Sequence, residues 1–415
     1  MIKVGNWGHI AESLRHRDHR LFNTTLVPAL ISLWAQRTGI GWLTWELTHS
    51  PTWLGIIAAA DLLPVVIISP FAGAIADRAS SLFMMRLTQA IIMIHALVLW
   101  GLTAADFINI WGLLVLSLVT GINQPFSTSG RMVFFPSLVP KAELGTAIAI
   151  NSTIFNGGRA IGPALAGIMI APFGVASVFL LNFACFAAHM VNLFRIKSGA
   201  DEPASGQRKG MMGEIAEGIR YTIAHPGIGP MVLLLVVASV ASRPIADMIP
   251  GFADAVFSRG AEGLGWLLTA MGIGGFAAAI WLAQRGPVAG LTKIVLMNNL
   301  LVGIAMAAFA LIGNFWAAAV FLAVVGFAQV VTGTGTQTLM QTAVDGAVRG
   351  RVMSVYTQVY RGMPALGAIV MGWIAEQYGL DITVAGAGVI CVLIWMAFHR
   401  RRHAMADAME RNTPT

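Results

Sequence analysis

Four arginines and two aspartates lie inside long apolar runs of this chain, where a charged side chain is costly and rarely faces lipid. An arginine keeps its proton, and its guanidinium group binds carboxylate, catecholate or phosphate oxygens through paired hydrogen bonds. A carboxyl group changes its charge and is able to carry a proton. These side chains predict an anion-binding site coupled to proton movement. The arginines are Arg37, Arg159, Arg243 and Arg361, and the aspartates are Asp61 and Asp247.

An internal repeat places these charges at related positions. The stretch GTAIAINSTIFNGGRAIGPALAGIMIAPFG (145–174) aligns without a gap on GRVMSVYTQVYRGMPALGAIVMGWIAEQYG (350–379), and glycines of the two copies fall in register. Arg37 and Arg243 are separated by nearly the same offset. We expect both copies to be transmembrane helices that pack closely through small residues, in two similar halves around a shared midplane site.

Two of the arginines have candidate carboxylate partners. Arg37 and Asp61 each lie roughly 15 Å below the outer end of their predicted helices. Asp247 follows Arg243 by four residues, which is one turn of a helix. Such pairs either hold helices in register or release the arginine to a substrate, and both interpretations stay open. The other two arginines have no obvious carboxylate partner, which favours an anionic or amphipathic substrate.

The composition is that of a polytopic membrane protein. Hydrophobic residues make up 57% of the chain and charged residues 11%, which is far from the balance of a soluble domain. The net charge of +7 comes from short basic segments between apolar runs, so it does not indicate nucleic-acid binding. If the N-terminus is cytoplasmic, Arg259 is the one basic residue in an outer loop. We therefore expect a multi-pass protein of a bacterial inner membrane, with both termini cytoplasmic.

Twelve apolar runs are long enough to span a bilayer, which takes roughly 20 residues. They predict an all-α fold, with 12 transmembrane helices in two pseudo-symmetric six-helix halves. The predicted organisation is a cytoplasmic N-terminal segment (1–20), a first half (21–196), a cytoplasmic linker with an amphipathic helix (197–227), a second half (228–399) and a cytoplasmic tail (400–415).

Four segments carry a family resemblance: RTGIGWLTWELTHS (37–50), LLPVVIISPFAGAIADR (62–78), FNGGRAIGPALAGIMI (155–170) and RGRVMSVYTQV (349–359). With them the chain resembles the major facilitator superfamily over nearly its whole length. More narrowly, it is similar to the branch that includes the enterobactin exporter and related bacterial efflux proteins. The resemblance implies a twelve-helix transporter that works by alternating access.

The resemblance also implies gating residues in the loop between the second and third helices. Gly73, Asp77 and Arg78 match the superfamily motif, whose charges latch the cytoplasmic side. Residues 79–81 read Ala-Ser-Ser, where a glycine and basic residues are usual. The predicted latch is therefore incomplete.

A second implied gating motif lies in the fifth helix. Gly158, Gly162, Pro163 and Gly167 are similar to the glycine-proline pattern that the superfamily associates with export. Ala166 replaces one of the paired glycines of that pattern, and alanine still permits close helix contact.

Uncharged side chains complete the candidate site. We predict Trp34 as an aromatic wall and Gln124 and Gln329 as polar contacts of the substrate. His95 and His189 lie on the third and sixth helices, which are outer supports in the resembled superfamily. We expect these two histidines to pack or to form hydrogen bonds rather than to bind substrate.

The leading functional prediction is a secondary transporter, in a lipid bilayer, that exports a small amphipathic anionic compound such as a siderophore or a drug-like metabolite. Alternatives are an uptake transporter, a broad drug/proton antiporter, or a non-transporting receptor or scaffold on the same fold. The chain has no GxxxxGK[ST] phosphate loop and no constellation of nucleophile, base and metal ligands. We therefore predict that the protein is not an enzyme and uses no cofactor and no metal. The remaining energy sources are an ion gradient, with protons as the candidate ion, and the gradient of the substrate itself. We also expect a monomer.

Overall fold

The computed structural model describes residue 13 and residues 15–76, 79–196, 219–286, 288–344 and 346–410. Within these ranges the chain forms helices and short connections, with no strand. The helices are α1 (Arg17–Thr48), α2 (Pro51–Ala76), α3 (Ser81–Ala104), α4 (Ile110–Phe134), α5 (Leu144–Phe173), α6 (Ala176–Arg195), α7 (Ile228–Ala241), α8 (Ile245–Gly251), α9 (Gly260–Arg285), α10 (Leu291–Leu311), α11 (Phe315–Ala343), α12 (Gly346–Tyr378), α13 (Leu380–His399) and α14 (Arg402–Glu410).

The predicted all-α membrane fold is confirmed. Ten helical segments of the described ranges are long and apolar enough to cross a bilayer, and one of them joins α7, α8 and a π-helical turn into a single span, Ile228–Val256. Helices α1 and α12, which carry Arg37 and Arg361, are 32 and 33 residues long and more polar than these ten segments. With these two helices the described part of the chain accounts for twelve spans.

The chain divides into two compact units. The first residues of α2 belong to the second unit, and the rest of α2 belongs to the first. The first residues of α9 belong to the first unit, and the rest of α9 belongs to the second. The first unit comprises residues 1–48, 63–206 and 259–269, and the second comprises residues 49–62, 207–258 and 270–415.

In the first unit, α1 packs against α5 and α6, and α3 packs against α4 and α6. Fully buried Phe22, Phe134 and Leu193 lie in its core cluster, and the rings of Phe22 and Phe134 meet edge to face with centroids 5.7 Å apart. His16 joins the start of α1 to the loop before α5, because its Nε2 atom lies 3.1 Å from Oε1 of Glu143.

In the second unit, α7 packs against α12, and α10 packs against α11 and α13. The short helix α14 closes one end of this bundle. Its Met405 and Met409 are buried in the core cluster, and the Glu410 carboxylate accepts hydrogen bonds from the backbone N–H groups of Gly290 at 2.6 Å and Thr292 at 2.9 Å. These N–H groups at the start of α10 have no partner within their own helix, so Glu410 caps it.

Candidate functional site

The seventh span is broken at its middle. Helix α7 ends at Ala241 and α8 begins at Ile245, with a turn between them that contains Pro244, which has no N–H to donate. The Ser242 carbonyl in this turn accepts a 2.7 Å hydrogen bond from Nε2 of Gln329 on α11. A neighbouring helix thus satisfies a backbone group that the break exposes, as required away from water. Gln329 therefore stabilises the break, and its predicted contact with substrate stays a prediction.

The break changes the interpretation of Arg243. The four-residue spacing to Asp247 suggested one turn of a continuous helix, whereas Arg243 lies in the turn and Asp247 in α8. The Arg243 guanidinium carbon lies 3.8 Å from the centroid of the Tyr360 ring on α12. A partly desolvated contact of this kind contributes on the order of 0.5–2 kcal/mol. Pairing of Arg243 with Asp247 stays a prediction.

Two stacked tyrosines of α12 lie beside this guanidinium group. Tyr356 and Tyr360 stack with centroids 5.4 Å apart and an interplanar angle of 19°. The Tyr356 hydroxyl donates a 3.0 Å hydrogen bond to the Gly333 carbonyl on α11. Stacking and this hydrogen bond therefore fix the two tyrosine rings beside the guanidinium group of Arg243.

A small cavity of about 20 Å³ adjoins Arg243 inside the second unit. Hydroxyl, amide and guanidinium groups lie around it beside apolar side chains such as Leu235 and Val302. Arg243 and Gln329 were predicted from the sequence. The other polar lining residues were not, because single uncharged side chains in apolar helices give no signal without the packing of α7, α10 and α11. The polar lining consists of Ser239, Ser242, Arg243, Asn299, Gln329, Thr332 and Tyr360.

A second cavity in the same unit is larger, about 300 Å³, and mainly apolar. It lies between the ends of α9 and α11, with Leu282 and Thr338 among its lining residues. Its cation, Arg285, donates a hydrogen bond to the Ala289 carbonyl in the adjoining loop. This arrangement gives the larger cavity fewer groups for specific recognition than the small one.

In the first unit, the structure brings together two of the predicted site residues. The Arg37 guanidinium carbon lies 5.7 Å from the centroid of the Trp34 ring, one turn earlier on α1. The Trp34 ring meets Phe155 of α5 edge to face, with centroids 5.8 Å apart. Trp34 is therefore fixed by α5, while Arg37 is exposed.

The remaining candidates lie on separate helices. Arg159 on α5 and Gln124 on α4 are half-buried, and Arg361 on α12 is exposed. Asp61 is half-buried and belongs to the second unit, whereas Arg37 belongs to the first. Their predicted ion pair stays a prediction, as does the proton-carrying role of the aspartates.

One chain of hydrogen bonds joins polar side chains in the interior of the first unit. The Ser32 hydroxyl donates to Asn182 Oδ1 at 2.9 Å, and Asn182 Nδ2 donates to Gln36 Oε1 at 2.7 Å. Gln36 Nε2 then lies 3.5 Å from His95 Nδ1. His189 shares a 2.9 Å hydrogen bond with a threonine hydroxyl of α1. The expectation that both histidines hydrogen-bond within the helix packing is confirmed.

The glycines of α5 pack directly against backbone. A Cβ atom at Gly158 would lie 3.1 Å from a carbonyl carbon of α1, and one at Gly162 would lie 2.5 Å from the Cβ of Trp34. A Cβ at Gly167 would lie 2.9 Å from the Cα of Gly265 near the start of α9. The Pro163 carbonyl adjoins the same glycine of α9. These residues hold helices close together, and their predicted gating role stays a prediction.

The second unit repeats this packing 205 residues later. A Cβ at Gly367 would lie 2.3 Å from the Val240 carbonyl oxygen of α7, as Gly162 faces α1. A Cβ at Gly372 would lie 2.4 Å from the Pro51 carbonyl oxygen at the start of α2, as Gly167 faces the start of α9. The sequence repeat is therefore a repeat of helix contacts.

The predicted latch between α2 and α3 falls largely outside the described residues. Asp77 and Arg78 are among the residues that the structure does not describe. Gly73 lies in the last turns of α2, and a Cβ there would meet no atom within 4 Å. Close packing therefore does not explain a glycine at this position.

A helical membrane protein with two repeated sets of helix contacts and a broken seventh span has the architecture of a major facilitator transporter. The fold agrees with a bacterial homologue of the human lysosomal transporter Spinster, in an inward-facing and unoccupied conformation. The TM-score is 0.74 at 13% identity, over 96% of this chain and 99% of that chain. The chain belongs to the transmembrane secretion effector family of the major facilitator superfamily, which it matches over residues 12–414.

Two curated relatives are similar over most of their length. The staphyloferrin A transporter of Staphylococcus aureus is 24% identical over 367 residues, which cover 88% of this chain and 91% of that protein. The multidrug efflux pump Tap of Mycolicibacterium fortuitum is 25% identical over 390 residues, which cover 90% of this chain and 95% of that protein. The relatives are thus transporters of small molecules.

Proposed function

We propose that the protein exports a small amphipathic anionic compound, such as a siderophore or a drug-like metabolite, by alternating access across a bacterial inner membrane. Both termini are cytoplasmic in this proposal, because the basic loops then face the cytoplasm. The names of the relatives, a siderophore transporter and a multidrug efflux pump, support this class of substrate.

The observation that carries the proposal is the position of Arg243. It lies in the break of the seventh span, half-buried, over the ring of Tyr360 and beside the small cavity. Broken helices near the bilayer midplane form the binding sites of many secondary transporters. A guanidinium group that stacks on an aromatic face still has N–H groups along its edge, and these match the oxygens of a carboxylate or catecholate.

Proton coupling is the second part of the proposal. Asp61 and Asp247 are half-buried carboxyl groups on α2 and α8, and a carboxyl group is able to exchange a proton where arginine is not. Protons entering from outside would displace the anionic substrate as the site turns outward.

A broad drug/proton antiporter is the second candidate, favoured by the similarity to the multidrug pump Tap. The two candidates differ in the charge of the substrate. A cationic drug is repelled by Arg243, so removal of that charge should improve its transport, whereas an anionic compound loses its binding partner.

The export proposal is tested by the compounds released into culture medium by wild-type cells and by cells that lack the gene. A compound released only by the wild type should return with the wild-type gene. Arg243→Gln should reduce its release about tenfold or more, since a charged hydrogen-bonding partner is lost. Lys293→Gln is the matched control, because this lysine is exposed on α10. Release at the wild-type rate with Arg243→Gln would contradict the proposal.

Proton coupling is tested in proteoliposomes with an imposed pH gradient. Asp61→Asn and Asp247→Asn remove one exchangeable proton each and change the side-chain volume very little. We expect at least one of them to abolish the uptake that the gradient drives while exchange of substrate across the membrane continues. Undiminished gradient-driven transport in both variants would exclude this pair of residues as the coupling groups.

A further inference from the structure

Three buried polar atoms around the small cavity of the second unit have no hydrogen-bond partner among the described residues. They are Oγ of Ser239 on α7, Oδ1 of Asn299 on α10 and Oγ1 of Thr332 on α11. The side chains are 0%, 1% and 5% exposed. Buried polar groups in native proteins almost always have partners, so three orphan atoms on one cavity indicate a site that something else fills.

The size of the cavity limits what fills it. About 20 Å³ holds a single group of the size of a water molecule. A whole substrate does not fit there, but one hydroxyl or one oxygen of a larger ligand does. The guanidinium group of Arg243 lines the same cavity.

The donors and acceptors that the three atoms need decide which chemical group suits the cavity. Asn299 Nδ2 already donates to the Cys391 carbonyl at 2.9 Å, so its orphan Oδ1 needs a donor. The hydroxyls of Ser239 and Thr332 each need an acceptor for their proton. A ligand hydroxyl has one proton and two lone pairs, which are the numbers of donors and acceptors that the three atoms require. A carboxylate oxygen has no proton for Asn299, and an ammonium group has no lone pair for the two hydroxyls.

We propose that this cavity is a hydroxyl subsite, and that the substrate is a hydroxycarboxylate or a catecholate whose hydroxyl lies next to its anionic group. The anionic group binds the guanidinium of Arg243, and the hydroxyl enters the cavity between α7, α10 and α11. The hydroxyl donates to Asn299 and accepts from Ser239 and Thr332. The anionic part of this assignment rests on the proposed function, whereas the hydroxyl part rests on the three orphan atoms.

Two matched pairs of anions test the subsite by calorimetric titration of the purified full-length protein. Citrate and tricarballylate differ by one hydroxyl, as do salicylate and benzoate. We expect the hydroxylated member of at least one pair to bind about tenfold more tightly, because the other member leaves buried groups unpaired. Equal affinity within both pairs, or no binding by any of the four anions, would overturn the subsite.

Variants then locate the effect. Thr332→Val and Ser239→Ala should reduce the affinity ratio towards one while the affinity for tricarballylate and benzoate stays the same. Thr336→Val is the matched control, because Thr336 is one turn further along α11, equally buried and also without a partner, but does not line the cavity. A ratio that survives Thr332→Val and Ser239→Ala together would overturn the assignment.

The variant Arg243→Gln distinguishes a failure of the hydroxyl subsite from a failure of the proposed function. It should weaken both members of a pair by the same factor. If it changes neither affinity while the ratio depends on Thr332, the hydroxyl subsite stands and the anion-binding role of Arg243 is wrong. If binding depends on Arg243 but shows no preference for the hydroxyl, the role of Arg243 stands and the subsite is wrong.

Discussion

Two clusters of buried polar side chains, one in each unit, differ in their hydrogen bonding. In the first unit, Ser32, Asn182 and Gln36 form a chain of hydrogen bonds that links α1 and α6 and continues to α3. In the second unit, Ser239, Asn299 and Thr332 line one cavity, and Oγ, Oδ1 and Oγ1 of these residues have no hydrogen-bond partner among the described residues. An internally satisfied network fixes a structure, whereas orphan groups are available to a ligand.

The backbone contacts, by contrast, are the same in both units. Gly162 and Gly367 bring α5 and α12 against α1 and α7, and Gly167 and Gly372 bring them against the first turns of α9 and α2. Close helix approach through glycine is therefore a property of the repeated fold.

The largest expected effect comes from breaking the shared contacts. Gly162→Ala and Gly367→Ala place a Cβ 2.5 Å from the Trp34 Cβ and 2.3 Å from the Val240 carbonyl oxygen. Each should lower stability by about 2–4 kcal/mol, because backbone cannot move aside as a flexible side chain does. The measurement is the apparent unfolding temperature in detergent at a fixed scan rate.

Gly157→Ala and Gly350→Ala are the controls for these two variants, one on each helix. A Cβ at either position meets no atom within 4 Å. They should leave stability unchanged or raise it by up to about 1 kcal/mol through better helix propensity. Equal losses in tight and open positions would show that the glycines do not act through close contact.

An intermediate loss of stability is expected when a hydrogen-bonded polar side chain of the first unit is removed, but not when an unpartnered one of the second unit is removed. Asn182→Ala removes two hydrogen bonds from the first unit and leaves Gln36 Oε1 buried without its donor, which should lower stability by about 2–3 kcal/mol. Thr332→Val removes a hydroxyl that has no partner, so stability should change by less than about 0.5 kcal/mol or rise. Thermal unfolding of both variants without ligand gives the comparison. A loss at Thr332 as large as that at Asn182 would mean that the second interior is a structural network as well.

Much of this architecture follows from the sequence. The twelve spans are visible as apolar runs, and the glycine repeat predicts close helix contacts that Gly162 and Gly367 make. These features depend on local composition or on spacing along one helix, so no knowledge of the partner helix is needed.

The candidate site is less predictable. Charges in apolar runs identify Arg243, but its place in a turn and its aromatic contact with Tyr360 were not predicted from the sequence. Asn299 and Thr332 come from different helices and are uncharged, so their common cavity appears only once the helices are packed.

The smallest expected effect lies at the polar ends of the two units, where each closes its bundle with a carboxylate. Glu410→Ala removes two backbone hydrogen bonds from the start of α10 and should lower stability by about 1 kcal/mol, the usual contribution of a helix cap. His16→Ala removes a partly exposed contact with Glu143 and should cost about 0.5 kcal/mol or less, because water screens such pairs. Glu410→Gln retains an acceptor oxygen, so its apparent unfolding temperature should lie between those of Glu410→Ala and His16→Ala. If His16→Ala has the larger effect, the first unit depends on its terminal contact, and the difference between the units extends from their interiors to their ends.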